Sequence, residues 1–194
     1  PIKAFVHEML PEFLGCDEVR LTTGAREGKF MLMHALCEKG DRILLDGNAH
    51  YSTFVAAERA GLKVETVGNG GPPEYKIDEG GYAEKIAEMS KAGNKPKLAL
   101  LTYPDGNYGN LPDAKRVAKI CRDAGVPLII NGAYSVGRMP IRLDEIGADF
   151  LVGSGHKSMA ASGPVGVVGT TGEFAKKVFA KSEKYPIKGI EELG

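Results

Sequence analysis

The sequence carries no excess of either charge: 25 Lys and Arg stand against 25 Asp and Glu over 194 residues. A general positive field for nucleic acid is thereby excluded, so any such contact must come from a local patch. No run of 18 apolar residues occurs and no charged-then-apolar leader opens the chain. Nothing therefore indicates a membrane span or secretion, and a cytoplasmic location is expected. Cysteine is scarce. Cys16, Cys37 and Cys121 are odd in number and widely spaced, which argues against a disulfide framework and for a reducing compartment. They form no CxxC pair, so no metal site built from them is expected. Internal repeats are missing too, and the one low-complexity stretch, "GNGGPPEY" at 68–75, reads as a surface loop.

What is present is an ordinary globular balance, 43% hydrophobic and 26% charged, in a chain long enough to bury a real core. Apolar strand-like runs alternate with amphipathic helical segments. The strands are expected at Val19–Thr22, Arg42–Leu45, Lys63–Val67, Leu98–Thr102, Leu128–Asn131, Phe150–Val152 and Val165–Gly169. Between them, Phe30, Met33, His34 and Cys37 recur at helical spacing, as do Val117, Ile120, Cys121 and Ala124. Gly125 followed by Pro127 stops the second of these helices. This alternation predicts an α/β fold with a mostly parallel seven-stranded sheet and helices on both faces. Ligands of such sheets sit at the carboxyl ends of the strands. The loops to weigh are therefore "TTGAREGKF" (22–30), "DGNAHYSTF" (46–54), "TYPDGNYGN" (102–110), "NGAYSVGRMP" (131–140) and "GSGHKS" (153–158).

"TTGAR" at a helix start offers free N–H groups, two hydroxyls and a cation, a sound cradle for phosphate. Gly24 allows close backbone approach and Arg26 binds phosphate oxygens in pairs. The competing reading is a plain Thr N-cap; the spacing is not that of a Walker loop. His50 suits either stacking on an aromatic ligand or capping a helix, while His7 and His34 receive no role. Lys157 is the sharpest signal, a lone lysine at the mouth of a buried strand among glycine, serine and alanine. Partial desolvation there lowers an amine's pKa and makes it a nucleophile able to form a Schiff base. Pairing with a nearby carboxylate is the alternative. Cys37 and Cys121 read as core thiols, and nothing near Cys16 activates it.

A phosphate turn, a loop histidine, a polar residue ending a middle strand and a later lysine resemble the large domain of fold-type I pyridoxal-phosphate enzymes. More narrowly, "TTGARE", "NGAYSVGRMP" and "SGHKSMAASGPVG" are similar to the O-phosphoseryl-tRNA:cysteinyl-tRNA synthase family. The resemblance implies pyridoxal 5′-phosphate as cofactor, with Lys157 as its Schiff-base lysine and His50 stacked on its ring. It implies that Ala25, Arg26, Ser154, Gly155 and His156 hold the cofactor phosphate, and that Asn107 reaches the ring hydroxyl. Asn131 stands where most relatives of that fold place an aspartate, so the ring would be a weaker electron sink, suited to β-elimination. The reaction implied is replacement of phosphate by sulfur on phosphoseryl-tRNA(Cys), with Arg138 a candidate for the departing phosphate. Implied partners are the tRNA substrate, a sulfur donor, phosphoseryl-tRNA synthetase and a second copy of the chain. Residues 1–194 would form the cofactor-binding domain, with an N-terminal segment and a small C-terminal domain absent. Two rival readings are a cysteine desulfurase or class V aminotransferase relative, which should carry aspartate at 131, and a non-catalytic scaffold, which should fail to bind the cofactor.

Overall fold

A computed structural model describes residues 1–180. The chain opens on a helical run, α1 (Ile2–Ala4), a π-turn (Phe5–Met9) and α2 (Leu10–Leu14), which ends on Gly15 in the left-handed conformation (φ 62°). Seven strands follow: β1 (Glu18–Thr22), β2 (Arg42–Asp46), β3 (Lys63–Val67), β4 (Leu98–Thr102), β5 (Leu128–Asn131), β6 (Phe150–Ser154) and β7 (Gly166–Thr170). Every expected strand is present, with ends differing by two residues at most. Six helices interleave with them: α3 (Ala25–Leu36), α4 (Tyr51–Arg59), α5 (Glu79–Lys91), α6 (Ala114–Asp123), α7 (Leu143–Ile146) and α8 (Gly155–Ser158). A further helix, α9 (Gly172–Val178), follows β7.

The strands form one sheet in the order β1-β7-β6-β5-β4-β2-β3. Pairings from β3 through β6 are parallel, and β7 runs antiparallel to both β1 and β6. All five residues of β4, "LALLT", are buried, because helices cover both faces. Alternation assigns them to two cores. Leu98 and Leu100 pack with Leu32 and Met33 of α3 and Ala56 and Ala57 of α4, whereas Ala99 and Leu101 pack with Tyr82 and Ile86 of α5 and Val117 of α6. The edge strand β3, "KVETV", is charged and only partly buried, which blunts an open edge.

Helix ends follow local chemistry. Asp113 caps α6 by accepting from the Arg116 N–H at 3.0 Å. At its other end Gly125 takes φ 62° and the Val126 N–H reaches back to the Cys121 carbonyl at 2.9 Å, the Schellman arrangement the Gly-Val-Pro sequence predicts. In α3 the outcome differs from the expected stripe. Its buried face carries Ala25, Gly28, Lys29, Leu32 and Met33, while Phe30 is half-buried and His34 exposed. The 68–75 loop is less free than its composition indicates: the Tyr75 ring stacks on Tyr108 at 4.2 Å, and the Tyr75 carbonyl accepts from Asn48 and Asn110.

Candidate functional site

Strands β2 and β4 are neighbours, and the chain leaves β2 toward β3 on one side but β4 toward β5 on the other, so the loops after these two strands part in opposite directions across the sheet. Loops that part in this way leave a crevice at the carboxyl edge. A cavity of about 680 Å³ lies there, lined by residues from all five loops singled out in the sequence. Ala25, Arg26, His50, Asn131, Ser154, His156 and Lys157 face it together.

The first wall is the start of α3. Gly24 is its N-cap, with φ 147°, and supplies no side-chain cap. The Thr N-cap reading therefore fails. Thr23 instead gives both its N–H and its hydroxyl to the Glu27 carboxylate, and those bonds hold that carboxyl below its usual range. The first amides of this twelve-residue helix stay uncapped beside the cavity, with the positive end of its dipole. Close packing places them: a Cβ on Gly166 would lie 2.6 Å from the Gly24 carbonyl carbon, so β7 meets this turn backbone to backbone. Arg26 donates to the Tyr51 hydroxyl at 2.9 Å and lies over that ring. The His156 ring sits near Gly24 and is bonded through Nδ1 to the Val165 carbonyl at 3.2 Å.

The second wall is the start of α4. His50 is its N-cap, and its Nδ1 accepts from the Ser52 N–H at 3.2 Å. Capping and lining the cavity are thus one placement. Burial, then Lys29, Lys157 and Arg26, push the imidazole below its ordinary value. Lys29, which sequence reasoning passed over, lies 1% exposed beneath this turn. Its Nζ donates to Ser52 Oγ at 3.0 Å and Thr53 Oγ1 at 2.8 Å. Burial pushes it down to about 7, aided by Lys157 and Arg26 and opposed by Asp46. Asp46 itself is fully buried at the end of β2, where it accepts from the Thr102 N–H and hydroxyl at 2.7 and 2.9 Å, yet burial still raises it to about 6.

The third wall is the β5–β6 edge. Asn131, 2% exposed, ends β5, and its Oδ1 accepts from the Ala133 N–H at 3.4 Å. Lys157 lies in α8 directly after β6, half-buried, with Nζ 4.0 Å from the centre of the Tyr134 ring. Its neighbour is an aromatic face and not the carboxylate of the alternative reading. Tyr134 in turn fills the space over Gly106, which a Cβ there would block.

Three expected residues lie elsewhere. Gly155 is buried behind the cavity and donates to the Val165 carbonyl at 2.8 Å. Asn107 turns to the Asn48 carbonyl at 3.4 Å, because the buried Asp105 carboxylate gathers the N–H groups of Asn107, Tyr108 and Asn110 into a tight turn. Arg138 donates to the Lys157 carbonyl at 3.2 Å and borders a separate, smaller groove. Among the described residues the cations that line the cavity besides Lys157 are Arg26, Lys29 and Arg59, with Glu27 the one carboxylate. The thiols stay apart from it: burial pushes Cys16 and Cys121 up to about 12 and Cys37 to about 11.

The family described as O-phosphoseryl-tRNA(Sec) selenium transferase matches residues 14–194. The chain belongs to that family. A protein of Methanosarcina mazei named O-phospho-L-seryl-tRNA:Cys-tRNA synthase is 60% identical over 100% of this chain and 50% of its own length. The protein of the same name from Methanocaldococcus jannaschii is 52% identical over 100% and 52%. The chain spans about half the length of the curated relatives it matches. Among solved structures, the SepCysS–SepCysE N-terminal domain complex superposes with a TM-score of 0.94 at 52% identity, covering 100% of this chain and 52% of that one. A cysteine desulfurase of Thermococcus onnurineus shares the fold, at TM-score 0.76 and 24% identity over 90% of this chain and 44% of its own. Among the described residues no helix is long and apolar enough to cross a membrane.

Proposed function

We propose that this chain is the cofactor-binding domain of a pyridoxal-phosphate enzyme that converts O-phosphoseryl-tRNA(Cys) to cysteinyl-tRNA(Cys). The observation that carries the reading is the meeting of Lys157, His50 and the uncapped, Arg26-bearing start of α3 in one cavity. The names of its half-length-matched relatives support the substrate. In the overall exchange, the bond from the seryl β-carbon to the phosphate oxygen breaks, phosphate leaves with its electron pair, and a sulfide takes its place on that carbon.

The residues present fit the cofactor. Its phosphate matches the free amides of Ala25 and Arg26, the Arg26 guanidinium, Ser154 and His156, a set with one carboxylate, Glu27, already held by Thr23. When bound, pyridoxal phosphate supplies a carbonyl that condenses with amines and a ring that accepts the electrons of the substrate's Cα–H bond. Lys157 would hold it through its amine and would be the base placed to take the α-proton. The Tyr134 face fixes where that amine waits. His50, kept neutral, presents a flat ring to an aromatic ligand. Asn131 offers an amide and no counter-charge, where a desulfurase-like site would hold a carboxylate. A sulfur donor and a second copy of the chain are the partners the reading requires.

Borohydride treatment of the full-length protein with pyridoxal phosphate, followed by peptide mass spectrometry, tests it. Label on Lys157, lost in Lys157→Ala, supports the assignment. Label on Lys29, or none on either lysine, overturns it. Conversion of phosphoseryl-tRNA(Cys) with sulfide then tests the substrate.

A further inference from the structure

Lys29 is a buried cation in the inner face of α3 with no role in the reading above. A lysine is rarely placed under a site without a carboxylate partner, because its ammonium loses hydration there. Its two bonds go instead to hydroxyls on the first turn of α4, at 3.0 Å to Ser52 and 2.8 Å to Thr53. Ser52 is also 2.9 Å, through the same Oγ, from His50 Nδ1. The directions of these bonds can be worked out. A backbone N–H only donates, so the Ser52 N–H fixes Nδ1 as an acceptor and Nδ1 carries no proton. An ammonium only donates, so Lys29 occupies lone pairs of Ser52 Oγ and leaves that hydroxyl's proton to point at Nδ1.

We propose that Lys29 is a positioning residue that, through Ser52, holds His50 as the neutral imidazole with its proton on Nε2. The inference deepens the reading of the same cavity, and its test reads His50 directly, without cofactor. Putting a proton on Nδ1 would break the bond from the Ser52 N–H and turn the Ser52 hydroxyl. It would also set a second cation beside the first. The groups that face the imidazole are Lys29 and Arg26 from α3, Lys157 from α8 and the Tyr51 ring from α4, so every charged one opposes a further positive charge. Lys29 in turn faces Lys157, Arg26 and, in its favour, Asp46 of β2. Nε2–H is then the ring's one donor, aimed away from Ser52 and available to an anionic oxygen in the cavity.

Nitrogen-15 spectra of histidine in the cofactor-free full chain, assigned with His50→Gln and followed against pH, test this. The wild type should show an unprotonated Nδ1 and a protonated Nε2 on His50, titrating below the ordinary value. Lys29→Met, which keeps the volume and removes the charge, should raise the midpoint by about one unit. Ser52→Ala, which keeps the charge and cuts the link, should raise it by about half a unit, and Ser52→Thr should restore it. An unchanged midpoint in Lys29→Met overturns the proposal. If that variant fails to fold, an unchanged midpoint in Ser52→Ala does so alone. A wild-type Nδ1–H signal would also sink it.

Discussion

Lys157 lies just past the end of β6 with Nζ over an aromatic ring, whereas Lys29 lies inside α3 with Nζ bound to two hydroxyls. The two line one cavity. Their difference separates two uses of an amine. Over the Tyr134 face the Lys157 nitrogen has electrostatic company, and among the described residues no acceptor is seen to fix its protons, which suits the reactive role proposed for it. The Lys29 nitrogen is held on two sides within packed helices, where moving it would strand Ser52 and Thr53. Buried position alone would point to Lys29 as the nucleophile; the bonds each lysine makes favour Lys157, as proposed above.

The sharpest way to break this comparison is to remove each amine. Lys157→Ala should lower turnover of the full-length enzyme by about 10³-fold or more. Lys29→Met should cost much less, and an equal loss in the two would erase the distinction. Next in size, Arg26→Gln should weaken pyridoxal phosphate binding by about 10–100-fold in an absorbance titration, since a charge-assisted bond is lost. The same change removes a cation near Lys29, so Lys29 should titrate higher in that variant. A third contrast concerns acidity. Lys29 titrates near 7 in the fold against an ordinary 10.5, so between those values the unfolded chain binds the extra proton. Stability contributed at Lys29 therefore rises with pH through that window, by at most about 1.4 kcal/mol per unit, and is level outside it. Urea melts of wild type and Lys29→Met at several pH values should show the wild type gaining on the variant from neutral to alkaline. The smallest effect belongs to the ring: Tyr134→Leu should cost about 0.5–1 kcal/mol of stability, measured by the same melts.

The inner strands were legible in the sequence because each is a short apolar run closed by a loop residue, and burial on both faces leaves no alternation to misread. Gly125 and Pro127 marked a helix end for equally local reasons. The loops that meet at the cavity were legible too, since a parallel sheet brings its carboxyl ends together. Lys29 was not. A lysine in a helix reads as solvated, and the apolar positions Phe30, Met33 and Cys37 drew the stripe one residue away from the true inner face. Only the approach of α4, with its hydroxyls at 52 and 53, makes a buried ammonium tolerable there, and that approach is tertiary. The turn of Asn107 toward Asn48 was hidden for a similar reason: Asp105, two residues earlier, winds the loop onto itself. The competing Thr N-cap reading fails because Glu27, four residues on, takes both donors of Thr23.

The contact of Gly24 with Gly166 bears on the order in which the molecule can be assembled. Among the described residues β1 pairs with β7 alone, so the first of these seven strands in chain order waits for the last of them. Until then the Gly24 turn lacks the backbone it packs against, although Ala25 and Gly28 already face the core and β6. A chain halted after Lys157 would carry that amine but lack the β7 backbone against which the Gly24 turn packs. The turn at Gly24 and the β6 end that leads to Lys157 thus share one support, β7, and stand in their final relation only once it is in place.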